Sequence, residues 1–256
     1  MSIKKPLILV VNDDGITAPG IKALLEVANE FAETVVVAPD KPQSGMGHAI
    51  TISSTLHVRK TDVDGTPAYA CSGTPVDCVK IAVNKLLPRL PDLVVSGINH
   101  GSNSSINVIY SGTMSAAVEG SLENIPSIGF SLLDHSIDAD FSAAQAYARK
   151  IIQAILEQNH HKSLCLNVNI PNLPYDLILG SKVCRQAKGN WREEYDERTD
   201  PMGRTYYWLT GKFEIDDDGT DTDEWALNNG YVSIVPVQPD ITDYETLNTI
   251  NYLAHV

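Results

Sequence analysis

Apolar positions along this chain alternate between short unbroken runs that end in turn chemistry and longer stretches where they recur every three or four residues. The first run, Leu7-Ile8-Leu9-Val10-Val11, stops at Asn12-Asp13-Asp14-Gly15. An uninterrupted apolar run closing on two β-branched residues predicts a strand covered on both faces, as in a parallel sheet packed between helices. Ala18 to Ala28 then places Ile21, Leu24, Leu25 and Ala28 on helical spacing. Thr34 to Pro39 reads as a second buried strand, followed by the glycine-rich loop Pro42-Gln43-Ser44-Gly45-Met46-Gly47-His48. Ile50 to Cys71 predicts a hairpin turning at Asp64-Gly65. In Ser72-Gly73-Thr74-Pro75-Val76-Asp77, Thr74 suits a helix cap, Pro75 the first turn, and Asp77 the positive end of the helix dipole. Leu93 to Ser96 is a third buried strand, running into the polar loop Gly97-Ile98-Asn99-His100-Gly101-Ser102-Asn103.

The same order continues through a small-residue helix from Met114 to Asn124, a strand and its loop from Ile125 to Leu133, and a long helix from Ala139 to Gln158. Tyr147, Ile151, Ile152 and Ile155 fall on the apolar side of that helix, and Leu164 to Ile170 alternates like a strand. Strand, polar loop and helix in repeated succession predict an α/β fold with a doubly wound parallel sheet. From about Leu177 the texture changes: Tyr206-Tyr207-Trp208-Leu209, Phe213 and Tyr231 to Pro236 predict strands outside the parallel sheet. With no repeat or linker in view, residues 1–256 read as a single domain, its core over about 1–175 and a β-rich elaboration over about 176–256.

Composition narrows the function classes. With 32 acidic against 19 basic residues the net charge is -13, which argues against a nucleic-acid polymer or an anionic membrane as general partner. The basic start Met1 to Lys5 is followed by an apolar stretch too short for a signal peptide, and no segment approaches a membrane span. Cys71, Cys78, Cys165 and Cys184 show no Cys-x-x-Cys spacing, so half-buried thiols in a cytoplasmic protein are expected.

By topology, four loops gather at one sheet edge, where open α/β sheets bind ligands. Asp13 and Asp14 supply hard oxygens suited to Mg2+ or Mn2+; the alternative is that one caps the following helix while the other is solvated. Ser44 offers a hydroxyl and Asn99 an amide oxygen, though each also suits a turn. Ser111-Gly112-Thr113 opens a helix whose N–H groups suit a phosphate, or it is an ordinary cap.

Taken in order, five segments carry a resemblance: Asn12-Asp13-Asp14-Gly15; Pro39-Asp40 with Gln43-Ser44-Gly45; Ser72 to Cys78; Ser96-Gly97-Ile98-Asn99-His100-Gly101; and Tyr110-Ser111-Gly112-Thr113 with Ala117 and Glu119-Gly120. Together they resemble the SurE family, stationary-phase survival proteins that act as metal-dependent 5'/3'-nucleotidases. The likeness is dense from Ile8 to Gly120 and looser through Gly219 to Asp223 and Gly230 to Ile234. It implies that Asp13, Asp14, Ser44 and Asn99 hold one divalent cation per subunit (Mg2+, Mn2+ or Co2+), with Asp13 and Asp14 the catalytic acids. It also implies that Asn103, Ser111, Gly112 and Thr113 line the phosphate pocket. The implied fold is a Rossmann-like parallel sheet flanked by helices, with a protruding β-hairpin and a C-terminal segment exchanged in a homodimer or homotetramer. Thr242 to Leu253 reads as the helix-like end of that segment. One departure is Asn107, at a position where SurE-like sequences commonly carry an acid.

The expected reaction is hydrolysis of a nucleoside monophosphate to nucleoside and phosphate. A cation on two carboxylates would polarise a phosphoryl oxygen and acidify a water, while Gly112 and Thr113 N–H groups would face the equatorial oxygens. Direct attack by an aspartate is the competing chemistry. Phosphatases of the haloacid-dehalogenase type use Asp-x-Asp on one side of a strand, whereas adjacent Asp13 and Asp14 start on opposite sides and need the Gly15 turn to converge; activated water is therefore preferred. Short polyphosphate or other phosphomonoesters would need the same groups. A receiver-like Mg2+-binding module is the non-enzymatic alternative, but it needs an aspartate where Ser96-Gly97-Ile98-Asn99 stands. Other features predict less. Asp216-Asp217-Asp218-Gly219 reads as a solvated acidic turn, His160-His161 as a helix C-terminal cap, and His48 and His100 as loop residues within reach of phosphate donation.

Overall fold

Ile8 and Val10 face one layer of the molecule and Leu9 and Val11 the other, and all four are fully buried. That is the two-sided burial expected of a central parallel strand. The computed structural model describes residues 5–158, 160 and 163–255, so Met1 to Lys4 and His161 of the features above lie outside the described residues. Its strands are β1 (Leu7–Val11), β2 (Glu33–Pro39), β3 (Val58–Val63), β4 (Thr66–Cys71), β5 (Leu93–His100), β6 (Ser127–Leu132), β7 (Cys165–Ile170), β8 (Ser181–Val183), β9 (Gly189–Thr199), β10 (Thr205–Ile215) and β11 (Val232–Pro236). Its α-helices are α1 (Pro19–Phe31), α2 (Pro75–Ile81), α3 (Gly112–Leu122), α4 (Ser142–Glu157), α5 (Asp223–Asn228) and α6 (Tyr244–Thr249).

The main sheet runs β3-β4-β2-β1-β5-β6-β7-β11-β8, parallel from β4 through β7. From β1 the chain first builds outward through β2 and then crosses back to β5, so strand order reverses between β1 and β5. The crevice beyond the carboxyl ends of these two strands is where this topology receives a ligand. Helices α1 and α4 pack on the face of Ile8 and Val10, and α2 and α3 on the face of Leu9 and Val11. Each buried aliphatic side chain of β1 contributes about 1.5–3 kcal/mol.

Several boundaries differ from the sequence reading. The hairpin of β3 and β4 turns at Asp64-Gly65 as expected but begins at Val58, because the segment from Ile50 has no ladder partner there. Strand β5 continues past Ser96 to His100 across a register shift against β6, so Asn99 sits inside the strand rather than in a loop after it. β7 is buried throughout because helices cover both faces. Tyr206 to Leu209 and Phe213 belong to the separate β9–β10 hairpin, but Val232 to Pro236 join the main sheet, antiparallel to β7. The stretch from Thr242 is helical only over α6 and then tightens into a 3-10 turn, Asn251–His255. The acidic turn is not simply solvated: the Arg185 guanidinium donates to both Asp217 oxygens at 2.6 and 2.9 Å.

All four cysteines are buried free thiols. Thr74 forms the expected capping box with Asp77, and His160 Nε2 donates to the Ile155 carbonyl at the end of α4 at 2.9 Å. Among the described residues no helix is long and apolar enough to cross a membrane.

Candidate active site

Where β1 ends, Gly15 turns the chain with φ 98°, and the Asn12 side-chain amide closes the turn by donating to the Gly15 carbonyl at 3.0 Å. This turn brings both acids to the wall of one cavity of about 460 Å3, large enough for a nucleotide-sized ligand. The same wall contains Ser44, Asn99, Asn103 and Ser111.

Asp13 is nearly inaccessible and is held from the α3 side. The Thr113 hydroxyl donates to its Oδ1 at 2.5 Å. Gly112 lies so close that an added Cβ would stand 2.6 Å from the Asp13 Cβ, so only glycine lets the N-terminus of α3 rest on this acid. Burial pushes the Asp13 carboxyl up from 3.8 to about 6, against the favourable hydrogen bond from Thr113. Asp14 is also raised by burial, with His100 partly offsetting the effect. Two acids whose charged forms are only partly compensated are poised to gain from a cation.

Ser44 is carried on the exposed glycine-rich loop, which is fastened at three points. Gln43 N donates to the Asp13 carbonyl at 2.8 Å, Gly47 N to the Tyr110 carbonyl at 3.3 Å, and His48 bonds Glu119 at 3.0 Å. His48 thus serves α3 and is not among the residues lining the cavity. Glu119 is itself buried; desolvation opposes its ionisation, but hydrogen bonds from His48 and Lys80 hold its carboxyl below the ordinary value. Asn99 commits its amide nitrogen to the His100 and Gly101 carbonyls at 3.1 and 2.9 Å, which leaves Oδ1 as the acceptor available to a ligand. Carboxylates, hydroxyl and amide oxygen together form a hard-oxygen donor set, the kind that suits Mg2+, Mn2+ or Co2+. Among the described residues no three His, Cys, Asp or Glu side chains gather as a metal cluster, so a cation here would need Ser44 and Asn99 beside the two acids.

The phosphate-side candidates divide. Ser111 lines the cavity and caps α3 by accepting from Met114 N at 3.0 Å. Gly112 and Thr113 lie behind Asp13, outside the cavity lining. Asn103 is fixed by a buried amide network: its N donates to Asn169 Oδ1 at 2.8 Å, its Nδ2 to Ser131 Oγ at 2.8 Å, and its carbonyl accepts from Asn167 Nδ2 at 2.8 Å. Asn169 Nδ2 in turn donates to Asn167 Oδ1 at 2.9 Å. Replacing Asn169 by leucine leaves the Asn103 N–H and the Asn167 oxygen unpaired in the interior. A loss of about 2–4 kcal/mol is expected in urea denaturation, with a weaker apparent affinity for phosphate.

Other lining residues were not among the sequence candidates. Glu224 at the start of α5 accepts from Ser104 Oγ at 2.5 Å, and burial raises its carboxyl. Its neighbour Asp223 locks the region by accepting from Ser105 N and Ala187 N, both at 2.8 Å. Trp191 and Phe213, directly opposed in the β9–β10 ladder, add an aromatic wall. The only hint of α5 in the sequence was the loosely matching segment Gly219 to Asp223; Phe213 was marked only as a strand residue and Trp191 not at all, and neither was marked as part of a site.

A family model described as survival protein SurE matches residues 8–193. The chain is 59% identical over 253 residues to a protein of Flavobacterium johnsoniae named 5'-nucleotidase SurE, covering 98% of each. A protein of the same name from Christiangramia forsetii is 59% identical over 254 residues, again covering 98% of each. The crystal structure of SurE protein from Aquifex aeolicus superposes with a TM-score of 0.84 at 40% identity, over 97% of this chain and 100% of that one. This chain belongs to the SurE family.

Proposed function

We propose that the chain is a metal-dependent phosphomonoesterase that hydrolyses nucleoside 5'-monophosphates, and 3'-monophosphates at the same site, by attack of water on phosphorus. The observation that carries this reading is the convergence of Asp13, Asp14, Ser44 and the free amide oxygen of Asn99 on one cavity beside the α3 N-terminus. The naming of the relatives from F. johnsoniae and C. forsetii as 5'-nucleotidases supports it. Asp13, Asp14, Ser44 and Asn99 would hold one divalent ion, which when bound supplies Lewis acidity toward a phosphoryl oxygen and lowers the pKa of water.

The chain's own groups do the rest. Thr113 fixes the orientation of Asp13, while Ser111 and Asn103 present polar groups to the phosphoryl oxygens from the cavity wall. Asp14 is the more accessible acid and takes the proton of the attacking water; the new P–O bond forms as the ester P–O bond breaks, and the departing oxygen takes a proton back from Asp14 or from solvent and leaves as the nucleoside hydroxyl. Assembly as a homodimer or homotetramer belongs to the same reading. Tyr207 and Trp208 on the hairpin and Ile241, Tyr244 and Tyr252 near the C-terminus are exposed, apolar side chains that a partner copy would cover.

The test is phosphate release from a panel of nucleoside monophosphates. Turnover is expected with Mg2+, Mn2+ or Co2+, loss after exhaustive EDTA treatment, and recovery when metal is returned. Absence of turnover with every nucleotide and every metal would overturn the reading.

A further inference from the structure

The cavity that holds the two acids continues to Asn107, Trp191 and Phe213. The Trp191 and Phe213 rings meet at 5.6 Å between centroids, inclined at 58°, at the root of the hairpin. The Trp191 indole N–H donates to Asn107 Oδ1 at 2.7 Å. An indole nitrogen is a donor only, so this bond fixes which end of the amide faces the ring. The Asn107 NH2 group is then left without a partner among the described residues, as a pair of donors beside the aromatic wall. Because an N–H bond lies in the plane of its ring, the amide sits at the rim of the indole, where the edge of a base stacked on that ring would come.

We infer that Asn107, oriented by Trp191, is a specificity-determining residue for the nucleobase and favours bases carrying a carbonyl oxygen at the recognised edge. This rests on the nucleotidase reading of the same site and adds the substrate class. Inosine, guanosine and uridine monophosphates offer an acceptor to the Asn107 NH2 group. Adenosine and cytidine monophosphates offer an exocyclic amino group there, so donor meets donor. Inosine and adenosine monophosphates make the sharpest comparison, since their bases differ at the six-position and the adjoining ring nitrogen. A single neutral hydrogen bond at a half-open site discriminates by roughly two- to tenfold in kcat/KM.

The experiment measures kcat/KM for inosine against adenosine monophosphate, and for uridine against cytidine monophosphate, in the metal-loaded wild type, Asn107→Asp and Trp191→Phe. Expected ratios favour the oxo bases in the wild type and reverse in Asn107→Asp, whose carboxylate accepts from an amino group. Any general effect of the added charge on phosphate binding cancels in the ratio. In Trp191→Phe the ring is kept but the amide is free to turn over, so the ratios move toward one. Wild-type ratios near one, or ratios that neither variant changes, overturn the inference while leaving the nucleotidase reading intact. Absence of turnover with all four nucleotides overturns both.

Discussion

Asp13→Asn is expected to lower phosphate release from every nucleoside monophosphate by roughly a thousandfold or more, the scale seen when a charge-stabilising group is removed from a preorganised site. The side chain keeps its shape and can still accept from Thr113 Oγ1, so α3 stays in place. What is lost is the buried negative charge that a cation would meet. The same change should stabilise the metal-free protein. Burial raises the Asp13 carboxyl from 3.8 to about 6, so the folded state binds that proton more tightly than the unfolded chain. Below the unfolded value the group contributes its full stability; as pH rises through about 6 that contribution disappears, and ionisation costs roughly 3 kcal/mol at neutral pH. Asparagine has no such cost. In EDTA at pH 7.5 the variant should therefore melt several degrees above the wild type, the two should converge near pH 4, and added Mn2+ should raise only the wild-type Tm. A variant that keeps its turnover, or melts below the metal-free wild type at pH 7.5, would contradict this assignment.

Gly20→Ala should be strongly destabilising although it adds a single methyl. Helix α1 crosses β5 so closely that a Cβ on Gly20 would stand 2.0 Å from the Ile98 carbonyl oxygen and 3.0 Å from its carbon, both backbone atoms. Neither side can relieve the contact by changing a rotamer, so helix and strand must separate. A loss of at least about 3 kcal/mol is expected in urea denaturation, at the upper end of overpacking costs. Ile98 is followed by Asn99, so the separation should also displace the amide oxygen aimed at the cavity and weaken Mn2+ binding in calorimetry. An unchanged urea midpoint would show that α1 does not approach Ile98 this closely.

Much of the site was legible in the sequence for one physical reason. Asp13, Asp14, Asn99, Asn103 and Ser111 follow or end strands of a parallel sheet, and such strands deliver their carboxyl ends to the same edge. Ser44 joins them because its loop follows β2, the neighbour of β1. Groups that reach the cavity by other routes were hidden. Trp191 and Phe213 arrive on a hairpin whose strands are exposed on both faces and so carry no burial pattern. Glu224 comes from a six-residue helix too short to show a period. His48 stood among polar loop residues that suggested phosphate contact, whereas its partner Glu119 lies 71 positions away in the chain. The sequence reading set strand β11 outside the parallel sheet because nothing local distinguishes a strand that pairs antiparallel to β7 from a strand of an extended hairpin.

Placing Trp191 in the cavity wall gives the protein an optical probe of its own. Of the three tryptophans, Trp208 is exposed on the hairpin and Trp225 is stacked on Tyr231 beside Lys182. Neither lines the cavity, so a change in emission on adding a nucleotide is expected to come chiefly from Trp191 and to be lost in Trp191→Phe, and occupancy can be followed by fluorescence without a label.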